Sequence, residues 1–242
     1  MLITSVSNEK IKKIKSLLQK KYRDESGEYV AEGVKPVTEA IRTNREVLLL
    51  VGTQDALSRL PKTDLPVLCV TESVYKSVSS EVNPEGVLAV IKMPTLCPEF
   101  PKGKCLLLDG LKDPGNIGTI IRTAAAAGYN DIYLLDTADP FNPKTVRASM
   151  SGIFFVNLYR VTKENFTSYL KNIIVTDMCG ENIFNVNLSG DFCLAIGSES
   201  QGISKEVENV AFKKVSIPMQ PCSESLNAGV AAGIAMYVLG AK

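Results

Sequence analysis

The sequence predicts an α/β protein, with a small N-terminal α/β domain followed by a larger domain built on a mostly parallel sheet. Short apolar runs of strand length recur along the chain, and segments with helical spacing of apolar residues separate most of them. Strands that are buried on both faces and joined by helices are typical of parallel sheets. The length of 242 residues, 45% of them hydrophobic, is enough for one large domain or two modest ones.

Residues 1–93 are expected to form the smaller domain. Apolar residues at helical spacing predict one helix over 8–21, and a strand then ends at Gly33. The remaining expected elements are, in order, a helix over 36–43, a strand over 47–51, a further helix, a strand over 67–70, a helix near 73–77 and a strand over 86–92. Because three prolines alternate with polar residues after this domain, residues 94–103 are predicted to be a linker.

Residues 104–242 are expected to form the larger domain. Apolar runs predict strands over 105–108, 132–135, 154–159, 173–176, 192–196 and 215–217. In open parallel sheets, ligands bind beyond the carboxyl ends of the strands. The polar loops that follow these strands are therefore the candidate functional segments.

The composition excludes several kinds of site. The chain has no histidine, which rules out His-based triads, His general bases and His metal ligands. Its six cysteines show no metal-like spacing and lie mostly in apolar runs, which indicates reduced thiols in a cytoplasmic protein and no metal site.

Charge and hydropathy say less about partners. The net charge of +1 gives no overall signature of a nucleic-acid binder. Basic residues do crowd the first helix between Lys10 and Arg23, a pattern that a solvated amphipathic face also explains. The apolar C-terminal stretch from Leu226 is shorter than the roughly 20 residues that a membrane span needs, so no membrane association is expected.

The first candidate segment, residues 109–122, follows a strand and opens a helix that is expected to end at Gly128. Asn116 is expected to be its N-cap, and Arg122 lies two turns inside it. A capped helix with a surface arginine explains the pattern. The rival interpretation is a dinucleotide site in which Asp136 binds ribose, but Gly110, Gly115 and Gly118 lack the GxGxxG spacing that such a site requires.

The second and third segments are also polar bends between a strand and a helix. Gly197, Glu199 and Gly202 follow one strand, where glycines permit a close backbone approach. In the third, Ile217-Pro218-Met219 ends a strand and Ser225-Leu226-Asn227 begins the last helix, which Ser223 or Ser225 is expected to cap. Taken singly, each segment is explained equally well by a turn and a capped helix.

Taken together and in this order, the three segments resemble a known family. The set Asn116-x-Gly118-x-x-x-Arg122, Gly197-Ser-Glu199-x-x-Gly202 and Ile217-Pro218 with Ser225-Leu226-Asn227 is similar to the three signature motifs of the SpoU (TrmH-like) RNA 2′-O-ribose methyltransferases of the SPOUT superfamily. The similarity covers residues 104–242. Residues 28–33 and 84–89 also resemble the small RNA-binding domain that is often fused to these enzymes.

The resemblance implies a fold and a cofactor. In this family the C-terminal part of a parallel-sheet domain is threaded into a deep trefoil knot. S-adenosylmethionine is held there, largely by backbone groups of the second and third motifs. The corresponding cofactor-binding residues are Gly197, Ile217, Met219 and Leu226.

The resemblance also implies a set of catalytic residues. Carried over to this chain, these are Asn116, Arg122, Glu199, Ser225 and Asn227. Arginine is an implausible proton acceptor on pKa grounds, because a guanidinium group keeps its proton in proteins. We therefore expect Arg122 to orient an RNA phosphate. Asn116 would position Arg122 or the ribose, and Glu199 would orient Arg122 or its own loop. Ser225 and Asn227 are expected to form hydrogen bonds within the site.

The resemblance implies a homodimer that packs through the knotted domain, and RNA as the partner, with ribosomal RNA favoured over tRNA. Two alternatives stay open at this point. One is a non-catalytic RNA-binding or ribosome-assembly protein of the same fold. The other is a nucleotide-dependent oxidoreductase, which lacks its glycine fingerprint here.

Overall fold

The computed structural model describes residues 2–221 and 225–240. They divide into two compact units, one formed by residues up to Pro94 with Asp139–Phe154, the other by Thr95–Ala138 with the residues from Phe155 onward. The domain limits and the linker expected from the sequence stay predictions.

The elements of the first ninety-odd residues alternate between short strands and helices. In chain order they are β1 (Leu2–Ile3), α1 (Glu9–Ser16), α2 (Lys20–Ser26), β2 (Glu28–Glu32), α3 (Val34–Arg42), β3 (Val47–Gly52), α4 (Gln54–Ser58), β4 (Val67–Val70), α5 (Glu72–Val78) and β5 (Val87–Lys92). They form a five-stranded sheet in the order β1-β4-β3-β5-β2, in which β5 runs antiparallel to both of its neighbours. The N-terminal α/β unit is therefore confirmed.

The prediction of one continuous helix over 8–21 was wrong. The chain leaves α1 at Leu17 and is extended at Gln19 before α2 begins. The break lets both Leu17 and Arg23 be buried, each about 1% exposed. Arg23 Nη1 donates to the Leu17 carbonyl at 2.8 Å, which satisfies an acceptor that the interrupted helix leaves without an intrahelical donor.

The segment Asp139–Phe154 packs within the first unit although it lies between two strands of the other sheet in the sequence. The buried Arg23 guanidinium donates to Asp139 Oδ2, with 3.1 Å from Nε. Arg45 donates twice to the Phe154 carbonyl, at 3.2 and 2.6 Å. The Tyr29 and Phe141 rings lie 4.8 Å apart. Charge pairing and aromatic packing thus hold the segment in this unit.

The remaining elements belong to the larger sheet and its helices, apart from α7. In chain order they are β6 (Cys105–Asp109), α6 (Pro114–Ala127), β7 (Asp131–Leu135), α7 (Pro143–Ala148), β8 (Asn157–Val161), α8 (Phe166–Tyr169), β9 (Ile173–Asn182), β10 (Cys193–Gly197), α9 (Lys205–Glu208), β11 (Lys213–Ser216) and α10 (Ala228–Gly240). The strand order is β11-β9-β10-β6-β7-β8, and every pairing is parallel. The predicted parallel sheet is confirmed, while the knot stays a prediction.

Two local predictions for this unit need correction. The strand expected over 154–159 begins at Asn157, because Gly152–Phe154 forms a 3₁₀ turn. The N-cap of α6 is Asp113, not Asn116, since the Asp113 carboxylate accepts from the Asn116 N–H at 2.9 Å. Pro114, whose missing N–H and fixed φ suit the first helical position, starts the helix there. Gly128 ends it with φ +79°, as expected.

Helix α10 packs along α6 in the second unit. A Cβ added at Gly229 would lie 3.1 Å from Thr119 Cγ2, so the two helices approach closely at this glycine. At the other end, Lys104 Nζ donates to the Gly240 carbonyl at 2.7 Å.

Across residues 2–221 and 225–240, no helix is both long enough and apolar enough to cross a membrane.

Candidate functional site

The register of β6 and β10 places the first two candidate segments side by side. Gly197 pairs with Asp109 as the last residues of these neighbouring parallel strands. The loops that leave both strands therefore start at the same edge of the sheet. The third segment approaches this edge through the packing of α10 on α6.

Polar side chains from all three segments form one hydrogen-bonded row. Asn116 Nδ2 donates to Glu199 Oε1, and Asn227 Nδ2 donates to Asn116 Oδ1 at 2.9 Å. The structure thus brings together three of the five predicted catalytic residues, which are up to 111 positions apart in the sequence.

Asn227 also begins the last helix. Its Oδ1 accepts from the backbone N–H groups of Gly229 and Val230, at 3.0 and 3.2 Å. This is the geometry of an N-cap, so Asn227 takes the role that the sequence assigned to Ser223 or Ser225. Ser223 lies outside the described residues. The amide of Asn227 therefore links the helix start to the polar row.

Arg122 is not part of this row. It lies on the exposed side of α6, and within the described chain its guanidinium makes no hydrogen bond or ion pair. Asn116 lies six positions before it on the helix, which places the two side chains about 120° apart around the helix axis. The guanidinium is therefore available to an external group.

A cavity of about 440 Å³ lies next to the row. All four residues predicted to bind the cofactor line it, together with Ser225 and Glu199. Its other described lining residues are Thr176, Asp177, Met178, Ile196, Ser198, Gln201, Gly202, Ile203, Glu208, Val215, Ala228 and Ala231. Asp136, the acid that a dinucleotide site would use, does not line it, which weighs against that interpretation.

A tight turn after β10 forms one wall of the cavity. Ser198 and Gly202 exchange two backbone hydrogen bonds at 3.0 and 2.9 Å, and Gly202 has φ +68°. A Cβ built on Gly197 would lie 2.2 Å from the Gly202 carbonyl carbon and 2.5 Å from the Ile203 nitrogen. These distances are shorter than any allowed contact, so only glycine fits at position 197.

Asp109 anchors the same turn and was not singled out in the sequence. Its side chain is only 4% exposed, and its Oδ2 accepts from the Ser204 backbone N–H at 2.7 Å. A hydrogen bond to a buried carboxylate is stronger than one between neutral groups. In the sequence, the aspartate that directly follows the apolar run Cys105–Leu108 could have indicated that this side chain anchors the turn.

The buried Cys193 in β10 is not suited to nucleophilic catalysis. Burial raises the pKa of the Cys193 thiol well above its ordinary value, and the adjacent Cys105 raises it further. The reactive form of a cysteine is the thiolate, so a thiol held protonated is inert. No group of metal-binding side chains occurs in the part of the chain that the structure describes.

Known proteins match this chain along nearly its whole length. The sequence profile of the SpoU rRNA Methylase family matches residues 103–237, and the profile of an MRM3-like substrate binding domain matches residues 8–89. The chain is 31% identical to the 23S rRNA (guanosine(2553)-2'-O)-methyltransferase of Bacillus subtilis, with 98% of each chain covered. It is 30% identical to the 23S rRNA (adenosine(1067)-2'-O)-methyltransferase of Streptomyces laurentii, over 85% of this chain and 83% of that one.

A solved structure agrees with these matches. An AdoMet-bound rRNA methyltransferase from Sinorhizobium meliloti has a TM-score of 0.86 and 31% identity, covering 98% of this chain and 96% of that chain. Its similarity spans both units. With motifs, fold and relatives in agreement, the chain belongs to the SpoU rRNA methylase family.

Proposed function

We propose that this chain transfers a methyl group from S-adenosylmethionine to a ribose 2′-hydroxyl of ribosomal RNA, in the cytoplasm. The observation that carries the proposal is the row Asn227–Asn116–Glu199 next to the 440 Å³ cavity. Family membership and relatives named as 23S rRNA 2′-O-methyltransferases support it. An intact row also favours an enzyme over a non-catalytic RNA-binding protein of the same fold.

The cavity fits S-adenosylmethionine in size and chemistry. Its volume lies within the usual range for small-molecule sites. Ile217, Met219 and Leu226 would provide an apolar slot for the adenine, and the absence of a side chain at Gly197 gives access to backbone groups. The matched structure from Sinorhizobium meliloti holds AdoMet, which is a further argument for this ligand.

Bound S-adenosylmethionine would supply an activated methyl group, so the protein has two remaining tasks. It must orient the ribose, and it must provide a route for the proton of the attacking hydroxyl. We assign the first task to Asn116 and Asn227, whose amides are held in place by Glu199 and by the start of α10. Ser225, at the cavity rim, would hydrogen-bond within the same site.

We assign Arg122 to the RNA phosphate. Its guanidinium is exposed, and the planar donor group of an arginine suits a bidentate contact with a phosphate and does not suit proton removal. The phosphate that it holds, or a water, would then accept the hydroxyl proton.

The first unit is proposed to help bind the RNA, with residues 94–103 as the linker that follows it. Four lysines of α1 and α2 form ion pairs with acidic neighbours, namely Lys12 with Glu9, Lys13 with Glu28, Lys20 with Asp24 and Lys21 with Glu25. The basic surface there is smaller than the sequence indicates. Neutralising Lys10 and Lys15 together should flatten the salt dependence of RNA binding if this surface contacts phosphates.

We also propose that the second unit is knotted and that a homodimer packs through this unit. Val230 and Tyr237 are seven residues apart on α10, hence on one face, and are 51% and 55% exposed. A partner subunit that covers this face would remove the apolar surface from water. Sedimentation velocity should give a dimer, and a stable active monomer would contradict the proposal.

The proposed substrate is tested by mapping 2′-O-methylated nucleotides in RNA from cells with and without this protein. We expect one site in large-subunit ribosomal RNA to lose its methyl group and to regain it when the gene is restored. A loss confined to tRNA would show that tRNA, and not ribosomal RNA, is the substrate. No loss in either RNA would favour the non-catalytic alternative. The two relatives act on guanosine and adenosine, so the experiment also identifies the base.

Arg122→Ala should lower the rate of methyl transfer at least about 100-fold, as loss of a charge-stabilising group does in other enzymes. Binding of S-adenosylmethionine, measured by calorimetry, should change less than about twofold, because Arg122 does not line the cavity. Arg160→Ala, another exposed arginine of the second unit, is the matched control and should keep the wild-type rate. A wild-type rate for Arg122→Ala would contradict the assignment.

Asn227→Asp separates the two roles of this side chain. Aspartate caps helices as well as asparagine does, so the thermal stability should be unchanged. It has no N–H to donate to Asn116, so methyl transfer should fall at least about tenfold, the loss expected when a positioning hydrogen bond is removed. Asn227→Ala should show the same fall in the rate of methyl transfer and should also lose about 1 kcal/mol of stability. Full activity of the aspartate variant would show that the amide donor is dispensable.

Gly197→Ala should abolish cofactor binding, because the added methyl group would force the Gly202 and Ile203 backbone away from β10. Overpacking of this kind typically costs about 1–3 kcal/mol, visible in thermal unfolding. Gly233→Ala is the control, since its added Cβ would meet Thr123 Cγ2 at an ordinary 3.6 Å. If calorimetry gave both variants the wild-type affinity for S-adenosylmethionine, this turn would not shape the pocket as we propose.

A further inference from the structure

The charged side chains among the described residues that line the cavity are all acidic. Asp177, Glu199 and Glu208 line it, and none of its described lining residues is a lysine or an arginine. A cavity of this composition repels anionic ligands and attracts cations. The sequence pattern did not indicate this, because Asp177 and Glu208 lie outside the three motif segments.

The three carboxylates differ in how their charge is compensated. Glu208 forms an ion pair with Lys214, and Glu199 accepts from the Asn116 amide. Asp177 accepts only the backbone N–H of Cys179, at 2.8 Å, and no cation of the described chain lies within ion-pair distance of it. Lys214 is near enough for the Asp177 charge to help raise its pKa, after the larger effect of Glu208. Asp177 is thus the half-buried carboxylate whose charge is left for a ligand.

S-adenosylmethionine and its product differ mainly in charge. The methyl donor has a positive sulfonium, whereas S-adenosylhomocysteine, which remains after transfer, has a neutral sulfur in the same place. All other groups of the two molecules are the same. A negative charge near the sulfur therefore favours the donor over the product.

We infer that Asp177 is the residue by which the cavity selects the positively charged methyl donor over the neutral product. This inference rests on the proposed function. The carboxylate binds through charge and takes no part in proton transfer. It favours loading of the donor, gives no such gain to the neutral product that remains after transfer, and disfavours anionic nucleotides in the cavity.

The inference is tested by calorimetry with S-adenosylmethionine and S-adenosylhomocysteine on the full chain. Asp177→Asn keeps the shape and the acceptor for the Cys179 N–H but removes the charge. Its affinity for the donor should fall about tenfold and its affinity for the product less than about twofold, as expected for unit charges several ångströms apart near a surface. Asp177→Glu, which retains the charge, should recover most of the preference for the donor.

Asp191→Asn is the matched control, because it makes the same change of net charge in a residue of the second unit that does not line the cavity. It should leave both affinities unchanged. Equal losses for donor and product in Asp177→Asn would overturn the inference, since Asp177 would then bind a group that both share. Unchanged affinities would overturn it as well. A wild-type protein that bound neither ligand would instead overturn the proposed function, so the two failures are distinguishable.

Discussion

The site depends on one close approach between backbone segments, that of Gly202 and Ile203 to the Cα of Gly197. The turn can fold back onto the end of β10 only because residue 197 has no side chain. The Asp109 carboxylate then fixes the far end of the turn through the Ser204 N–H. Glu199, between these two anchors, is thereby held against Asn116. Without this contact the cavity would lack one wall, and the polar row would lack the Glu199 carboxylate.

The parallel sheet brings distant parts of the sequence to one edge. Asp109 and Gly197 are 88 positions apart but end neighbouring strands in register. Parallel strands place their carboxyl ends together, so loops that follow them meet without any long-range signal in the sequence. The packing of α10 on α6 adds the third segment, and Asn227 completes the arrangement because its side chain caps one helix while contacting a residue of the other.

The strands and the convergence of the motif segments could be predicted because both follow from local patterns. Buried runs such as Cys105–Leu108 are recognisable alone, and parallel topology fixes where their ends lie. The break at Leu17 could not be predicted, since it depends on a carboxylate more than 100 residues away. Asn116 was mistaken for an N-cap because Asp113 and Asn116 both have capping side chains, and the proline between them decided the outcome. Asp177 has no motif around it, and its position became visible only with the cavity.

The insertion of Asp139–Phe154 into the first unit has a consequence for biosynthesis. Ribosomes release a chain from its N-terminus, and a domain usually folds once its own residues have emerged. Here the first 94 residues emerge with Arg23 lacking its counter-ion, and a buried charge left without a partner costs about 3–5 kcal/mol. The N-terminal unit therefore completes its folding only after β6 and β7 have been synthesised and Asp139 has emerged.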